Sequence, residues 1–261
     1  MFWKKKSKDP IIKFYLHESL DIPAYHLVPG DRAIPEWFRK TSRATTKDKF
    51  PKDLNVQKNM TIKKCMPVLD AMTGGYVVRS PVDMVIKSWQ DDKDIYFDAD
   101  WCTSGKIKHP FIHHHGTWQL GKHSLFDKEI PDAIALKFNS WFHIVTPPGY
   151  SCLFTSHLNN DHLKDLGIEF ISAIVDTDDY NLTINFPFIF TNLSKEGALI
   201  SQGTPLIHVF PFKRESWSHE IITQDGVFDD MSKKLSRDIT KLQSVFRDSY
   251  RKNFRAIKKF K

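Results

Sequence analysis

Between residues 60 and 212, the chain is a succession of short apolar runs separated by turn-forming residues at intervals of about 8–12 positions. Runs of this length, bounded by Gly, Pro and Asp, are typical of sandwiches and barrels rather than of alternating βαβ units. We therefore expect a mainly β fold. The expected strands are residues 11–16, 66–70, 76–79, 83–86, 95–97, 133–145, 151–156, 170–176, 182–190 and 206–210.

The C-terminal region has a different pattern. Its apolar residues recur every three or four positions, which is the period of an amphipathic helix. These residues are Phe228, Met231, Leu235, Ile239, Leu242, Phe246, Tyr250, Phe254 and Ile257. We therefore divide the chain into an N-terminal arm (residues 1–60), a β core (61–217), and a linker followed by a long helix (218–261).

The positive charge of the chain lies in this last segment. From residue 241 onwards, eight basic residues accompany one acid, and the whole chain has a formal charge of +7. An apolar stripe usually packs on a protein core, but a basic helix can also contact an acidic protein, a lipid surface or the nucleic-acid backbone. No sequence-reading DNA motif is present. The candidate contacts with an anionic partner are Arg251, Lys252, Arg255, Lys258 and Lys259.

Three cysteines in 261 residues do not form a disulfide framework, and their odd number favours reduced thiols inside a cell. The lysines that follow Met1 are not followed by the apolar segment of a signal peptide. No apolar run reaches the 18 residues that a membrane span needs. We expect a protein that is neither secreted nor inserted in a membrane.

A histidine-rich stretch is the candidate metal site. His113 and His115 would share one face of a strand, and His109 or His123 could supply a third ligand. No acidic residue stands at a spacing that would complete such a site, and the alternative is a polar loop in which the histidines have no common role. Both interpretations stay open from the sequence.

Four segments of the core resemble, in order, the motifs of the dUTPase and dCTP-deaminase superfamily. These are residues 70–86, with a Gly-Gly-Tyr turn before a strand; 147–158, beginning Pro-Pro-Gly-Tyr; 173–180, containing Ile-Val-Asp and a later Tyr; and 200–209, with Gln-Gly-Thr-Pro before a strand. The resemblance implies a β-clip fold, in which short strands form a distorted barrel. It also implies a homo-oligomer, most commonly a trimer.

The resemblance further implies a ligand pocket. In it, Asp176 would hold an attacking water, Tyr180 would support the sugar, and Mg²⁺ would accompany a triphosphate. The remaining pocket candidates are Gly75, Tyr76 and Ser156.

The sequence departs from the enzyme pattern at several of these positions. Asp176 and Tyr180 are four residues apart where the family has three, and a one-residue insertion turns a strand side chain to the other face unless a bulge absorbs it. Thr155 stands in place of the arginine of the second motif, and no glycine-rich fifth motif follows. Without that arginine, the developing phosphate charge lacks its usual partner.

The whole chain is also similar to an uncharacterised family carried by large tailed phages, especially marine ones. The similarity lies in residues 65–73, 146–150, 175–180 and 211–217. It implies a location in the host cytoplasm or in the virion. Together with the altered motifs, it favours a non-enzymatic, virion-associated or interaction protein that needs no cofactor and contacts itself or other virion proteins. The alternative is a nucleotide-binding or nucleotide-hydrolysing enzyme with altered site residues.

Overall fold

We describe the fold from a computed structural model of the chain. The residues that the structure describes are 9–16, 26–43, 61–91, 94–101, 111–127, 132–180, 182–222, 229–234, 251, 255–256 and 260. The strands are β1 (Lys13–Leu16), β2 (Leu27–Pro29), β3 (Tyr76–Arg79), β4 (Met84–Gln90), β5 (Ile95–Trp101), β6 (Ile112–His114), β7 (Ile134–Asn139), β8 (Phe142–Val145), β9 (Tyr150–Ser156), β10 (Ile168–Phe170), β11 (Ala173–Val175), β12 (Asn185–Phe190), β13 (Ala198–Ile200) and β14 (Pro205–Lys213). The α-helices are α1 (Glu36–Lys40), α2 (Met66–Thr73) and α3 (His162–Asp165).

The described strands form four antiparallel sheets, so the expected mainly β class is confirmed. Their strand orders are β1-β8, β10-β12-β7-β6, β11-β9-β14-β3-β2 and β13-β4-β5. Side chains alternate between buried and more exposed along β4, as expected for a strand that packs one face on a core. The main core lies between the sheets and is rich in aromatic residues, including Phe138, Trp141 and Phe142.

The described strands do not close into the barrel that the β-clip resemblance implies. A barrel requires every strand to have a neighbour on both sides. In the five-stranded sheet, by contrast, β11 and β2 each pair with one strand, and the other three sheets also have two ends. The architecture is therefore a set of open sheets packed on a common core.

The strand expected at residues 66–70 is wrong, because this segment is the start of α2. Leu69 N–H donates to the carbonyl of Cys65, the bond that opens an α-helix. Pro67 occupies the first turn, where its missing N–H has no intrahelical partner to lose. The chain leaves the helix through Gly75, whose φ of +63° favours glycine. A Cβ at Gly75 would also clash with the carbonyl oxygen of Val209.

The described chain divides into two compact units. The first contains residues 1–36, 72–214 and 260–261, and the second contains residues 37–71 and 215–259. In the second unit, Lys63 lies 4.6 Å from the ring centre of Phe38, which is buried, and Lys63 donates a hydrogen bond to the carbonyl of Arg39 at 3.0 Å. Most of the predicted C-terminal helix lies outside the described residues. Within its described part, residues 229–234 are helical.

Within the described part of the chain, no helix combines the length and the apolar character needed to cross a bilayer.

Candidate functional site

The turn that follows β11 is joined to the ends of β9 and β14 by Arg214. The guanidinium pairs in a bidentate manner with Asp178, with Nη1 at 2.7 Å from Oδ1 and Nη2 at 2.5 Å from Oδ2. Nη1 also lies 3.3 Å from Asp176 Oδ1 and donates to the Oγ of Ser151 at 3.0 Å. Ser151 in turn donates to Asp176 Oδ1 at 2.6 Å. We call these four residues the Arg214 cluster.

The Pro147–Gly149 turn closes the cluster from the other side. Gly149 N–H donates to Asp178 Oδ2 at 2.7 Å, and the Arg214 N–H donates to the Gly149 carbonyl at 2.8 Å. Gly149 has a φ of +84°, so the turn depends on glycine here. The Pro-Pro-Gly-Tyr segment, at the start of the second motif, therefore positions the Asp178 carboxylate.

Electrostatics in the Arg214 cluster strongly favour the ionised forms. The hydrogen bonds from Arg214 and from the Gly149 N–H lower the pKa of Asp178 to about 2. The same pairing raises the pKa of Arg214 above its ordinary value. The Asp178 side chain is 9% exposed, whereas that of Asp176 is 64% exposed. With two carboxylates and one guanidinium, the cluster carries a net negative charge.

Beneath this cluster, the turn is anchored in the core by hydroxyl groups. The Oγ1 atoms of Thr146 and Thr177 are 2.7 Å apart, and Thr177 Oγ1 donates to the Sγ of Cys152 at 3.3 Å. Burial raises the pKa of Cys152 to about 11, which keeps the thiol protonated at neutral pH. Cys152 is completely buried and belongs to the core.

Tyr76 and Ser156 lie on the core face of the five-stranded sheet. Tyr76 is opposite Val209 on β14, and Val209 is opposite Phe154 on β9, so the three side chains share a face. Ser156, two positions beyond Phe154, points to the same side. The ring of Tyr76 contacts that of Phe14 at 5.4 Å between centroids.

Asp176 and its donor Ser151 lie on the opposite face. Ser151 is three positions from Phe154, and an odd separation along a strand reverses the side-chain direction. The structure therefore does not place Asp176 beside Tyr76 or Ser156. It does place Tyr180 near Asp176, because the Tyr180 N–H donates to the Asp176 carbonyl at 2.9 Å within one turn.

The remaining pocket candidates have local structural contacts. Burial of Tyr76 raises the pKa of its hydroxyl. Ser156 accepts a hydrogen bond from the Phe170 N–H at 3.0 Å and so connects β9 to β10. Gly75 is buried at the entry to β3. The assignment of these residues to a ligand pocket stays a prediction.

The histidine stretch falls on and beside β6. His113 and His115 are both half-buried, and burial and the charge of Lys137 lower the pKa of His115. His109 lies outside the described residues. Within the described ranges, no three His, Cys, Asp or Glu side chains come together in a geometry that could hold a metal ion.

Of the predicted anionic-partner contacts, two are described by the structure. Arg251 is exposed. Arg255 is half-buried and pairs with Asp70, with its Nε 3.0 Å and its Nη2 2.5 Å from Asp70 Oδ1. This guanidinium is engaged within its own unit. Lys252, Lys258 and Lys259 lie outside the described residues.

The sequence motifs did not identify Arg214, Ser151 or Asp178 as site residues. Arg214 directly follows the last strand, β14. The pairing of β14 with β9 brings Lys213 opposite Tyr150 and thereby carries Arg214 to the turn.

No protein-family model matches the chain, and no curated protein matches it. Among solved structures, the native dUTPase of EIAV aligns with a TM-score of 0.27 and 14% identity, over 55% of this chain and 99% of its own. A mutant dUTPase from phage phi11 of S. aureus, described with a coordinated structural Mg(II) ion, aligns with a TM-score of 0.34 and 8% identity, over 83% of this chain and 99% of its own. Similarity of this size does not define the chemistry of the site.

Proposed function

We propose that this chain is a non-enzymatic phage protein, a virion-associated or interaction component built on a dUTPase-like scaffold. The observation that carries the proposal is the Arg214 cluster. Asp176, the residue that the motif resemblance assigns to the attacking water, accepts one hydrogen bond from Ser151, and its Oδ1 lies 3.3 Å from Arg214 Nη1. These contacts stabilise a folded turn and leave that carboxylate already engaged.

The charge of the cluster also argues against phosphoryl chemistry. A triphosphate needs cationic donors aimed at the charge that develops on its oxygens. Arg214 is a cation at the right turn, but both of its Nη atoms bond to the Asp178 carboxylate. Thr155, at the position of the family's arginine, is neutral and accepts a hydrogen bond from Ser172 at 2.8 Å. The net negative charge would repel a nucleotide.

An activity measurement tests the proposal. Purified protein is incubated with dUTP or dCTP and Mg²⁺, and pyrophosphate release is followed. We expect no turnover above background. Turnover near 1 per second, which is within the ordinary enzyme range, would overturn the proposal if it were lost in Asp176→Ala and kept in Asp179→Ala, the matched exposed carboxylate of the same turn.

Exposed apolar side chains support the interaction role. The segment that follows β14 carries Trp217, which is 87% exposed, together with exposed Ile221 and Ile222. Burying such groups against another protein is favourable by about 25 cal/mol per Å² of apolar area. Mass spectrometry of purified virions tests the location: stoichiometric copies support a virion component, and absence from virions restricts the protein to the host cytoplasm.

The second candidate function is nucleotide binding. The observation in its favour is that Asp176 and Tyr180 are both exposed and belong to one turn, where they could contact a sugar. Because the described residues contain no metal cage, Mg²⁺ would enter with the phosphates, the way it is commonly held. Calorimetric titration with dUMP and with Mg-dUTP tests this function. Saturable binding lost in Asp176→Ala but not in Asp179→Ala would support it.

A further inference from the structure

One edge of the five-stranded sheet, as the described strands form it, is β11. β11 is its terminal strand and, among the described strands, pairs with β9 alone, at Ala173–Phe154, Ile174–Leu153 and Val175–Cys152. On its outer side, β11 therefore has no partner strand among the described residues. Stable monomers usually guard such an edge with a charge, a proline or a bulge. Residues 171–175 have the sequence Ile-Ser-Ala-Ile-Val, and residues 173–175 of this segment pair with β9 without a register shift.

An apolar row leads to this edge on the face that carries Asp176. Ile174 is opposite Leu153, and Leu153 is opposite Phe210 on β14, so the three side chains form one line across three strands. Leu153 and Phe210 are half-buried, and Ile174 is 63% exposed at the end of the line. The apolar surface thus increases in exposure towards the open edge.

The charges that flank this row are compatible with a second copy of the same strand. Asp178 is already neutralised by its bidentate pair with Arg214. On β11 and its immediate extension, the side chains on this face are Ser172, Ile174 and Asp176. Reading the strand in the opposite direction places a hydroxyl against a carboxylate and an isoleucine against an isoleucine.

We propose that β11 pairs antiparallel with β11 of a second copy of this chain, about a two-fold axis at Ile174. Ile174 then contacts the same residue of the other copy, and Ser172 stands opposite its Asp176, with no like charges facing each other. The two five-stranded sheets become one ten-stranded sheet. The contact is isologous, as is usual in homodimers. This proposal goes beyond the proposed function, because the pairing does not depend on nucleotide binding.

This geometry predicts an even number of chains. The trimer that the motif resemblance implies can form alongside it only as a pair of trimers. Light scattering coupled to gel filtration at micromolar concentrations should therefore give an even multiple of the 30.4 kDa chain mass. The proposal is overturned by a monomer or by a trimer.

Substitutions at two matched positions test the surface itself. Ile174→Lys places a charge in the centre of the proposed contact and should halve the mass. Leu199→Lys is the control, because Leu199 is 52% exposed in the middle of β13, another three-residue edge strand. It should keep the parental mass, and circular dichroism checks that both variants are folded. Equal masses for Ile174→Lys and the parent would contradict the assignment of β11.

A cross-link tests the register. Opposed residues of an antiparallel pair have Cα atoms roughly 4.5–5.5 Å apart, within the range that a disulfide spans. In a background in which Cys65 and Cys102 are serine, Ile174→Cys should give a covalent dimer on mild oxidation, and Leu199→Cys should not. The two-fold pairing at Ile174 is wrong if Ile174→Lys keeps the even-numbered oligomer. It is also wrong if Ile174→Cys forms that oligomer but no covalent dimer.

Discussion

Two histidines in the interior of the first unit are held in their neutral form. His157 is 2% exposed, and neither of its ring nitrogens has a hydrogen-bond partner among the described residues. It stacks on His208 at 5.4 Å between ring centroids. The Nε2 of His208 lies 2.6 Å from the Gly74 carbonyl oxygen, so this nitrogen carries the proton and donates. Desolvation lowers the pKa of His157 to about 3 and that of His208 to about 4.

Acid should therefore destabilise the fold through these residues. Both pKa values lie below the ordinary value of 6.5, so the unfolded chain binds protons that the folded chain does not. Stability is complete above pH 6.5 and falls between pH 6.5 and 4 by about 1.4 kcal/mol per pH unit for each histidine. His157→Leu should reduce the slope of unfolding free energy against pH by about that amount. Urea denaturation at several pH values measures it.

The control for this experiment is His162→Gln, at an exposed position in α3. It should leave the slope unchanged, because the variant keeps both buried imidazoles, His157 and His208. A His157→Leu slope equal to that of the parent would mean that the buried imidazoles are not the source of the acid sensitivity.

At the level of elements, the Arg214 cluster connects three segments of the chain that lie outside the strands. The end of β14, the turn after β11 and the turn before β9 meet at the Asp178 carboxylate. A bidentate guanidinium–carboxylate pair fixes both distance and orientation. The cluster thus stabilises one end of the five-stranded sheet by connecting these segments.

Asp178→Asn should lower the Tm at pH 7 and flatten its decline in acid. The folded pKa of about 2 lies below the ordinary 3.8, so the ionised form contributes stability above about pH 4 that is lost as the pH falls through 2. Asparagine cannot make that contribution at any pH. Asp179→Asn, in the same turn, should behave like the parent. Thermal melts from pH 7 to 2 provide the measurement. If the Tm of Asp178→Asn and that of the parent depend on pH in parallel, the Asp178 carboxylate does not stabilise the fold in the proposed way.

At the scale of the whole molecule, the described strands form four open sheets, and each sheet has two edge strands. A barrel removes its edges by closure. In this chain the edge at β11 carries an exposed isoleucine and no protecting charge within residues 171–175. The proposed pairing with a second copy would cover it.

If assembly contributes to stability, the melting temperature must depend on concentration. A hundredfold increase in protein should raise the Tm of the parent by roughly 4 °C, because association stabilises the folded state by mass action. The Tm of Ile174→Lys should stay constant over the same range. Differential scanning calorimetry or fluorescence melts measure the difference, and a parent Tm independent of concentration would argue against the dimer.

By itself, the sequence located several of the strands. Period-two alternation and the turn residues between apolar runs are local signals, so β3 and β9 were expected within one residue of their observed limits. Residues 133–145 and 170–176 were each expected as one strand, but the first is divided into β7 and β8 and the second into the end of β10 and β11. The short strands β2, β6 and β13 were not expected. The segment expected as a strand at residues 66–70 is instead part of α2 (Met66–Thr73), which ends before the glycine turn. Local propensity is a weak prior that tertiary context overrides.

Only the tertiary structure decided which side chains meet. Asp176 was singled out from the sequence, but its neighbours Ser151 and Arg214 are 25 and 38 positions away along the chain. They reach it through the registers of β11, β9 and β14, and a shift of one residue would turn each of them to the opposite face. The same registers place Tyr76 and Ser156 on the core side. Residue type indicates which chemistry is available, and strand pairing decides which groups share a face.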